Sequence, residues 1–198
     1  MALILRAADR RGVPWKNGGG LTREVAAHPA GSDLGNFDWR VSLAEVRCGG
    51  PFSCFPGVDR QMAVLSGRLQ LSIAGRDAQG LSSDTPAISF SGEVPVYAEP
   101  RQDPVTDLNV MTRRGRFVAR LTRRGAQAST EVRLAADTTL LLALAPLTLH
   151  APGIAASLAA LDGVQFSDSA QTLTVQPAAA AADFWLIEID ACRRSEPA

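Results

Sequence analysis

Short stretches in which apolar and polar residues alternate, cut apart by turn-forming residues, constrain the fold of this chain more than any other feature. Phe37, Trp39, Val41 and Leu43 alternate with Asp38, Arg40, Ser42 and Ala44, the period of a strand with one face toward a core. Leu69, Leu71 and Ile73 repeat the pattern, with Ser66-Gly67 as punctuation just before them. Further segments of this kind fall at 21–27, 60–65, 87–90, 94–98, 105–112, 116–122, 129–134, 138–145, 171–176 and 184–190. Runs this short, bounded by Gly, Pro, Asp and Ser, predict an all-β sandwich or barrel. The one helix expected is about two turns over 154–161 (IAASLAAL), and the alanine run 178–182 after Pro177 reads as a surface loop.

A chain of 198 residues with 46% hydrophobic content can build one large or two small cores. Its 20 basic and 20 acidic side chains balance, which argues against gripping nucleic acid or anionic lipid with the whole surface. No apolar run approaches the ~20 residues that span a bilayer, and the opening MALIL is too short for a secretory segment. Cys48, Cys54 and Cys192 form no CxxC pair, so neither a disulfide framework nor a cysteine zinc site is expected. The expectation is a soluble cytoplasmic protein with no nucleic-acid and no membrane partner. Lys16 is the single lysine. Arg113, Arg114, Arg116, Arg120, Arg123 and Arg124 crowd together. Without interleaved aromatics they read as a solvated strand and turn rather than an RNA or anion patch.

The residues able to do chemistry collect before residue 113, in three blocks: WKNGGGLTREV from Trp15, FDWRVSLAEV through GPFSCFPGVDRQMAVLSG from Phe37, and DLNVMTRRG from Asp107. Gly18-Gly19-Gly20 lacks the GK[ST] ending and the GxGxxG spacing of phosphate loops, and a strand follows it rather than a helix. The glycines are better explained by a tight turn or a close backbone approach.

These blocks, in this order, resemble the HutD/Ves family of small bacterial proteins. The features that carry the resemblance are Trp15-x-Asn17 with Thr22-Arg23-Glu24, Phe37-x-Trp39-Arg40, Pro51-Phe52-Ser53-x-Phe55-Pro56-Gly57, Asp59-Arg60, and Asp107-Leu108-Asn109-x-Met111. The resemblance is specific through about residue 115 and runs on, more weakly, to the FWLIEID segment. It implies a cupin-type jelly roll in two barrel-like halves: a first barrel, 1–115, with the ligand pocket, and a second, degenerate one, 116–198. Exchange of strands between the halves is left open. It also implies a regulatory binder of a small acidic metabolite, with formylglutamate-like acids as the expected ligands, linked to histidine catabolism.

Laying the cupin metal-site pattern on Gly67 puts its glutamate slot at Arg60 and its histidine slots on Ser53 and Phe55, or on Cys54 and Pro56. The last histidine slot, anchored on Asn109, falls on Val105. No metal and no cofactor are therefore expected; His28 and His150, the only histidines, read as surface or packing residues. Arg60 puts a planar fork of donors where a cation ligand would stand. Beside Phe52 and Phe55 it suits a bidentate contact with a carboxylate. The alternative for Arg60 is an ion pair with Asp59 or Glu24. Asn17, Thr22, Arg40, Ser42, Asn109 and Met111 complete the expected ligand site. Arg40 and Ser42 could face either the pocket or solvent.

Two other functions stand beside metabolite binding. A metal-independent epimerase or isomerase would need a general base, for which Glu24, Asp59 and Glu93 are candidates. Cys54 could serve as a nucleophile, although burial as a small apolar residue suits it better. A protein–protein adaptor would use the arginines at 113–124. A homodimer joined through a sheet edge is left open.

Overall fold

The computed structural model describes residues 1–167 and 170–193. Its strands, in chain order, are β1 (Ala2–Leu5), β2 (Gly12–Pro14), β3 (Gly20–His28), β4 (Trp39–Val46), β5 (Gly50–Pro51), β6 (Val58–Ile73), β7 (Gln79–Ser82), β8 (Ile88–Ser91) and β9 (Val96–Arg113). They continue with β10 (Phe117–Ala126), β11 (Thr130–Leu134), β12 (Thr138–Ala143), β13 (Leu147–Ala151), β14 (Ile154–Leu158), β15 (Gly163–Ser167), β16 (Gln171–Pro177) and β17 (Ala182–Ala191). A single 3-10 turn at Ala7–Asp9 is the only helical element among the described residues, so the all-β expectation is met.

Two compact units divide the chain: Arg10–Phe117, and Met1–Asp9 together with Val118–Ala198. The second unit has a five-stranded sheet, β1-β15-β12-β17-β10, antiparallel from β1 through β17, and an antiparallel four-stranded sheet, β11-β16-β13-β14. Leu141, Val164, Phe166, Phe184 and Leu186 of the first share one buried core with Val132, Leu149, Leu158, Leu173 and Val175 of the second. That is the packing of a β-sandwich.

The segment 154–161 corrects the expectation of a helix. Residues 154–158 form strand β14, which pairs antiparallel with β13 across the two-residue turn Pro152-Gly153. Gly153 adopts φ 77° there, the left-handed geometry that glycine supplies without steric cost. Ala156 and Leu158 are buried while Ala155 and Ser157 are exposed. A period of two is present, hidden because alanine reads as apolar on either face.

The Arg10–Phe117 unit is built on one eight-stranded sheet ordered β2-β3-β4-β9-β6-β7, with β5 paired to β9 and β8 to β6. The four segments read as 60–65, 69–73, 94–98 and 105–112 are two long strands, β6 and β9, paired along their length. Ser66-Gly67 does not end a strand. The ladder shifts register between Val64 and Leu69, which lets both strands bend while remaining paired. Gly67 sits at φ 81°, and a Cβ there would stand 3.0 Å from the Pro104 carbonyl oxygen. Beyond the bend, Leu69, Leu71, Ile73, Val96 and Ala98 join Val46, Met62, Val64, Phe90 and Val105 in one core. The sheet therefore curls onto its own apolar face.

Candidate functional site

On that inner face the antiparallel registers stack polar residues in rows, because directly paired residues project to the same side of a sheet. Arg40 pairs with Met111, Met111 with Arg60 and Arg60 with Phe90. One row in, Ser42 pairs with Asn109 and Asn109 with Met62; in the next row, Ala44 pairs with Asp107 and Asp107 with Val64. Arg40 and Ser42 thus share the face of Arg60 and Asn109, which resolves the two orientations left open by alternation alone.

Arg60 is 7% exposed. Its Nη2 donates to Asn109 Oδ1 at 2.8 Å, and Asn109 Nδ2 donates to Asp107 Oδ1. The guanidinium carbon lies 4.9 Å from the Phe52 ring centroid, 5.0 Å from Phe90 and 5.7 Å from Phe55. Each such cation–π contact contributes about 0.5–2 kcal/mol, more as water is excluded. Arg60 Nε and Asp107 Oδ2 are both buried without a hydrogen-bond partner among the described residues. Burial pulls the Arg60 guanidinium down to about 10, against the pull of Asp107, so it stays protonated at neutral pH. Asp107 is fully buried; desolvation pushes its carboxyl up to about 7, with Arg60 pulling the other way.

The loop between β5 and β6 sets Phe52 and Phe55 over this guanidinium. Phe52 N–H donates to Val96 O at 2.9 Å and Phe55 N–H to Gly92 O at 2.8 Å. Gly92 permits the approach: a Cβ there would lie 2.5 Å from the Phe55 carbonyl oxygen. Glu93 accepts the Gly57 N–H at 2.6 Å and pairs with Arg114 at 3.0 Å. Arg114, Ser91 and the Gly57 amide hold the Glu93 carboxyl well below the usual carboxylate range.

Several sequence expectations need correction here. Arg60 forms an ion pair with neither Asp59 nor Glu24: Asp59 accepts from Arg114 Nε at 2.9 Å, and Glu24 from Arg40 Nε at 2.9 Å. Hydrogen-bonded arginines thus engage all three carboxylates considered as bases. Cys54 is exposed rather than buried as a small apolar residue. Thr22 Oγ1 accepts from Trp15 Nε1 at 2.8 Å, and Thr22 projects on the Asp107 face through Ala44. Asn17 is an exposed turn residue whose Oδ1 accepts the Gly19 N–H at 3.0 Å; Gly18, at φ 71°, makes that turn. Met111 packs with Phe37, Val58 and Phe55.

The residues present do not fit the cupin metal. Arg60 carries a guanidinium in the glutamate slot, Val105 lies in the apolar core, and no three His, Cys, Asp or Glu side chains gather among the described residues. Asp107 and Phe90 were not among the expected site residues. Asp107 stands two residues before Asn109, so the strand period alone would have placed it on the same face. The crowded arginines have local partners: Arg116 pairs with Asp38, Arg120 with Glu188 and Arg123 with Asp183, and Arg113 donates to the carbonyls of Gly35, Phe37 and Pro56.

The HutD family model matches residues 7–182. A 21.2 kDa protein from the hutC 3′ region of Pseudomonas putida is 37% identical over 119 residues, 60% of this chain and 62% of the relative. Protein Ves of Cronobacter sakazakii is 35% identical over 108 residues, 54% of this chain and 58% of the relative. The aligned region thus spans about three-fifths of the length of these relatives. A conserved protein of unknown function from Pseudomonas aeruginosa PAO1 superposes with a TM-score of 0.88 at 30% identity, covering 96% of this chain and 99% of that one. HutD from Pseudomonas fluorescens SBW25, in a formate condition, gives 0.81 at 28% identity, with the same coverage of 96% and 99%. A cupin 2 conserved barrel protein from Leptotrichia buccalis shares the fold at TM-score 0.61 and 11% identity, covering 90% of this chain and 92% of that one. With the inner-face rows of β4, β6 and β9 built on the residues that carried the resemblance, the chain belongs to the HutD family and has the cupin fold.

Proposed function

We propose that this chain binds a small carboxylate metabolite at Arg60 and acts as a regulatory sensor in amino-acid catabolism, with formylglutamate-like acids as the first candidates. One observation carries the reading. Arg60 is buried against three aromatic rings, and among the described residues its Nε has no hydrogen-bond partner and no carboxylate lies within ion-pair distance of it. A buried charge without a contacting counter-ion is costly, and a ligand carboxylate would supply the missing acceptor in a charge-assisted bond. Asn109, Ser42 and Thr22 on the same face offer neutral groups for an amide or a second carboxylate. The hutC-region relative supports a link to histidine utilization. Glu24, Asp59 and Glu93 are each held by an arginine, which argues against these three as the general base of an epimerase.

A thermal-shift series with L-glutamate, N-formyl-L-glutamate and urocanate tests this. A ligand that binds only the folded state at a hundred times its Kd adds about 2.7 kcal/mol of stability. At least one acid should raise the melting temperature by several degrees in wild type. The rise should vanish in Arg60→Ala and shrink in Arg60→Lys, which keeps the charge but loses the fork. A well-folded wild type that none of these acids stabilises would overturn the reading.

A further inference from the structure

The inner face carries a second ionisable group that carboxylate binding alone does not use. Asp107 is fully buried, with Oδ1 accepting from Asn109 Nδ2 and Oδ2 without a partner among the described residues. Asn109 is locked in one orientation, since its oxygen accepts from Arg60 while its nitrogen donates to Asp107. Turning the amide over would aim N–H groups at the guanidinium and the amide oxygen at the carboxylate. On the neighbouring strands Asp107 faces Ala44 and Ser42 of β4 and Val64 and Met62 of β6. Farther along the same face stand Arg60 and the Arg40–Glu24 pair, whose charges cancel at 2.9 Å. The rest of this interior is the apolar core around Val46, Leu69, Phe90 and Val105. Among the described residues, Arg60 is thus the one uncompensated charge near Asp107 on the elements packed around it.

We propose that anion binding at Arg60 and proton uptake by Asp107 are a single event, so that the site takes up its carboxylate together with a proton that ends on Asp107 Oδ2. The inference rests on the carboxylate reading above. With the site empty, an ionised Asp107 is the one anion of this described interior that can balance Arg60, through Asn109. A bound carboxylate would put a second anion beside one guanidinium in a buried interior. Two carboxylates sharing one cation there cannot both stay ionised, and the more deeply buried one takes the proton. Burial already holds Asp107 near neutrality, so a ligand's charge need move it only a little further.

The experiment is calorimetric titration of wild type and Asp107→Asn with formate, L-glutamate and N-formyl-L-glutamate. It is run from pH 6 to 8.5 in pairs of buffers with different ionisation heats. In wild type the affinity should fall up to about tenfold per pH unit above the free-state value of Asp107, with as much as one proton taken up per ligand. Asp107→Asn should bind the same probe with a pH-independent affinity and no uptake. Binding without uptake in wild type, or uptake that persists in Asp107→Asn, overturns the proposal while leaving carboxylate binding intact. Should the variant not fold, the Asp107 carboxyl carbon followed by NMR in wild type decides. Saturating probe at pH 7.5 should move it to the protonated position, and a carboxyl that stays ionised overturns the linkage. If none of the three probes binds wild type at any pH, the carboxylate reading fails and takes the linkage with it.

Discussion

Asp107 shapes the pH dependence of folding whether or not a ligand is present. Its folded-state value of about 7 lies above the ~3.9 of an unfolded aspartate. Between those values the native state keeps a proton that the unfolded chain has released, so stability falls as pH rises through that window. The contribution is fully present below pH ~4 and gone above the folded value; the full shift corresponds to at most roughly 4 kcal/mol. Asp107→Asn removes the titration. Urea unfolding of both proteins at pH 5 and 8 should therefore show the variant gaining a few kcal/mol on wild type across the interval. A constant difference would mean that Asp107 does not titrate there. The Asp107-Leu108-Asn109 motif was legible as letters, and its strand period put both polar residues on one face. Its chemistry was not legible, because the burial that raises Asp107 comes from β4, β6 and the core they close, far away in sequence.

At the scale of elements, the loop that holds Phe52 and Phe55 depends on Gly92 and Glu93. An added methyl group at position 92 would meet the Phe55 carbonyl oxygen at 2.5 Å, backbone that cannot swing aside. Gly92→Ala should destabilise the protein by about 1–3 kcal/mol and weaken any ligand that shifts wild type. Thermal unfolding and a repeat of the ligand series check both effects. Glu93→Gln keeps the shape but loses the charge that binds Arg114 and the Gly57 N–H. Faster amide hydrogen exchange at Gly57 is expected, with little change at Asn109. Strand assignments followed the alternation closely where one face was polar, as in 37–44, whose residues from Trp39 onward form β4. They failed where alternation was masked, as in the alanine-rich 154–161, or where a bulge imitated a turn, as at Ser66-Gly67. A glycine at positive φ marks both kinds of site, and only pairing across the ladder tells them apart.

At the scale of the whole molecule, chain order and unit membership differ. Residues 1–9 belong with 118–198. β1 pairs along its length with β15. Asp162 fastens the segment just after β1: Oδ1 accepts the Ala7 N–H at 2.7 Å, and Oδ2 accepts from Arg6 at 2.8 Å and from the Ala159 N–H at 3.1 Å. These bonds hold Asp162 below the usual aspartate range, so its stabilisation is lost as pH falls through that lowered value. Asp162→Ala, which takes the shared acceptor from the Ala7 and Ala159 N–H groups and from Arg6, should cost about 1–3 kcal/mol and speed exchange in 2–5 and 163–167 before the strands of 10–117. The all-β class and the family could be read from the sequence. The return of the first strand to the second unit could not, because ALIL carries no alternation and its partner is more than 150 residues away.

The most direct test of the central claim follows the Arg60 Nε–H resonance by NMR, assigned by its disappearance in Arg60→Lys, while small carboxylates are titrated in. This donor is buried with no hydrogen-bond partner among the described residues, so capture of a ligand carboxylate should move it saturably and far downfield, together with the Asn109 side-chain amide. A resonance that stays in place while the same acid binds and stabilises the protein would show that the ligand sits elsewhere, and would contradict Arg60 as the anchor.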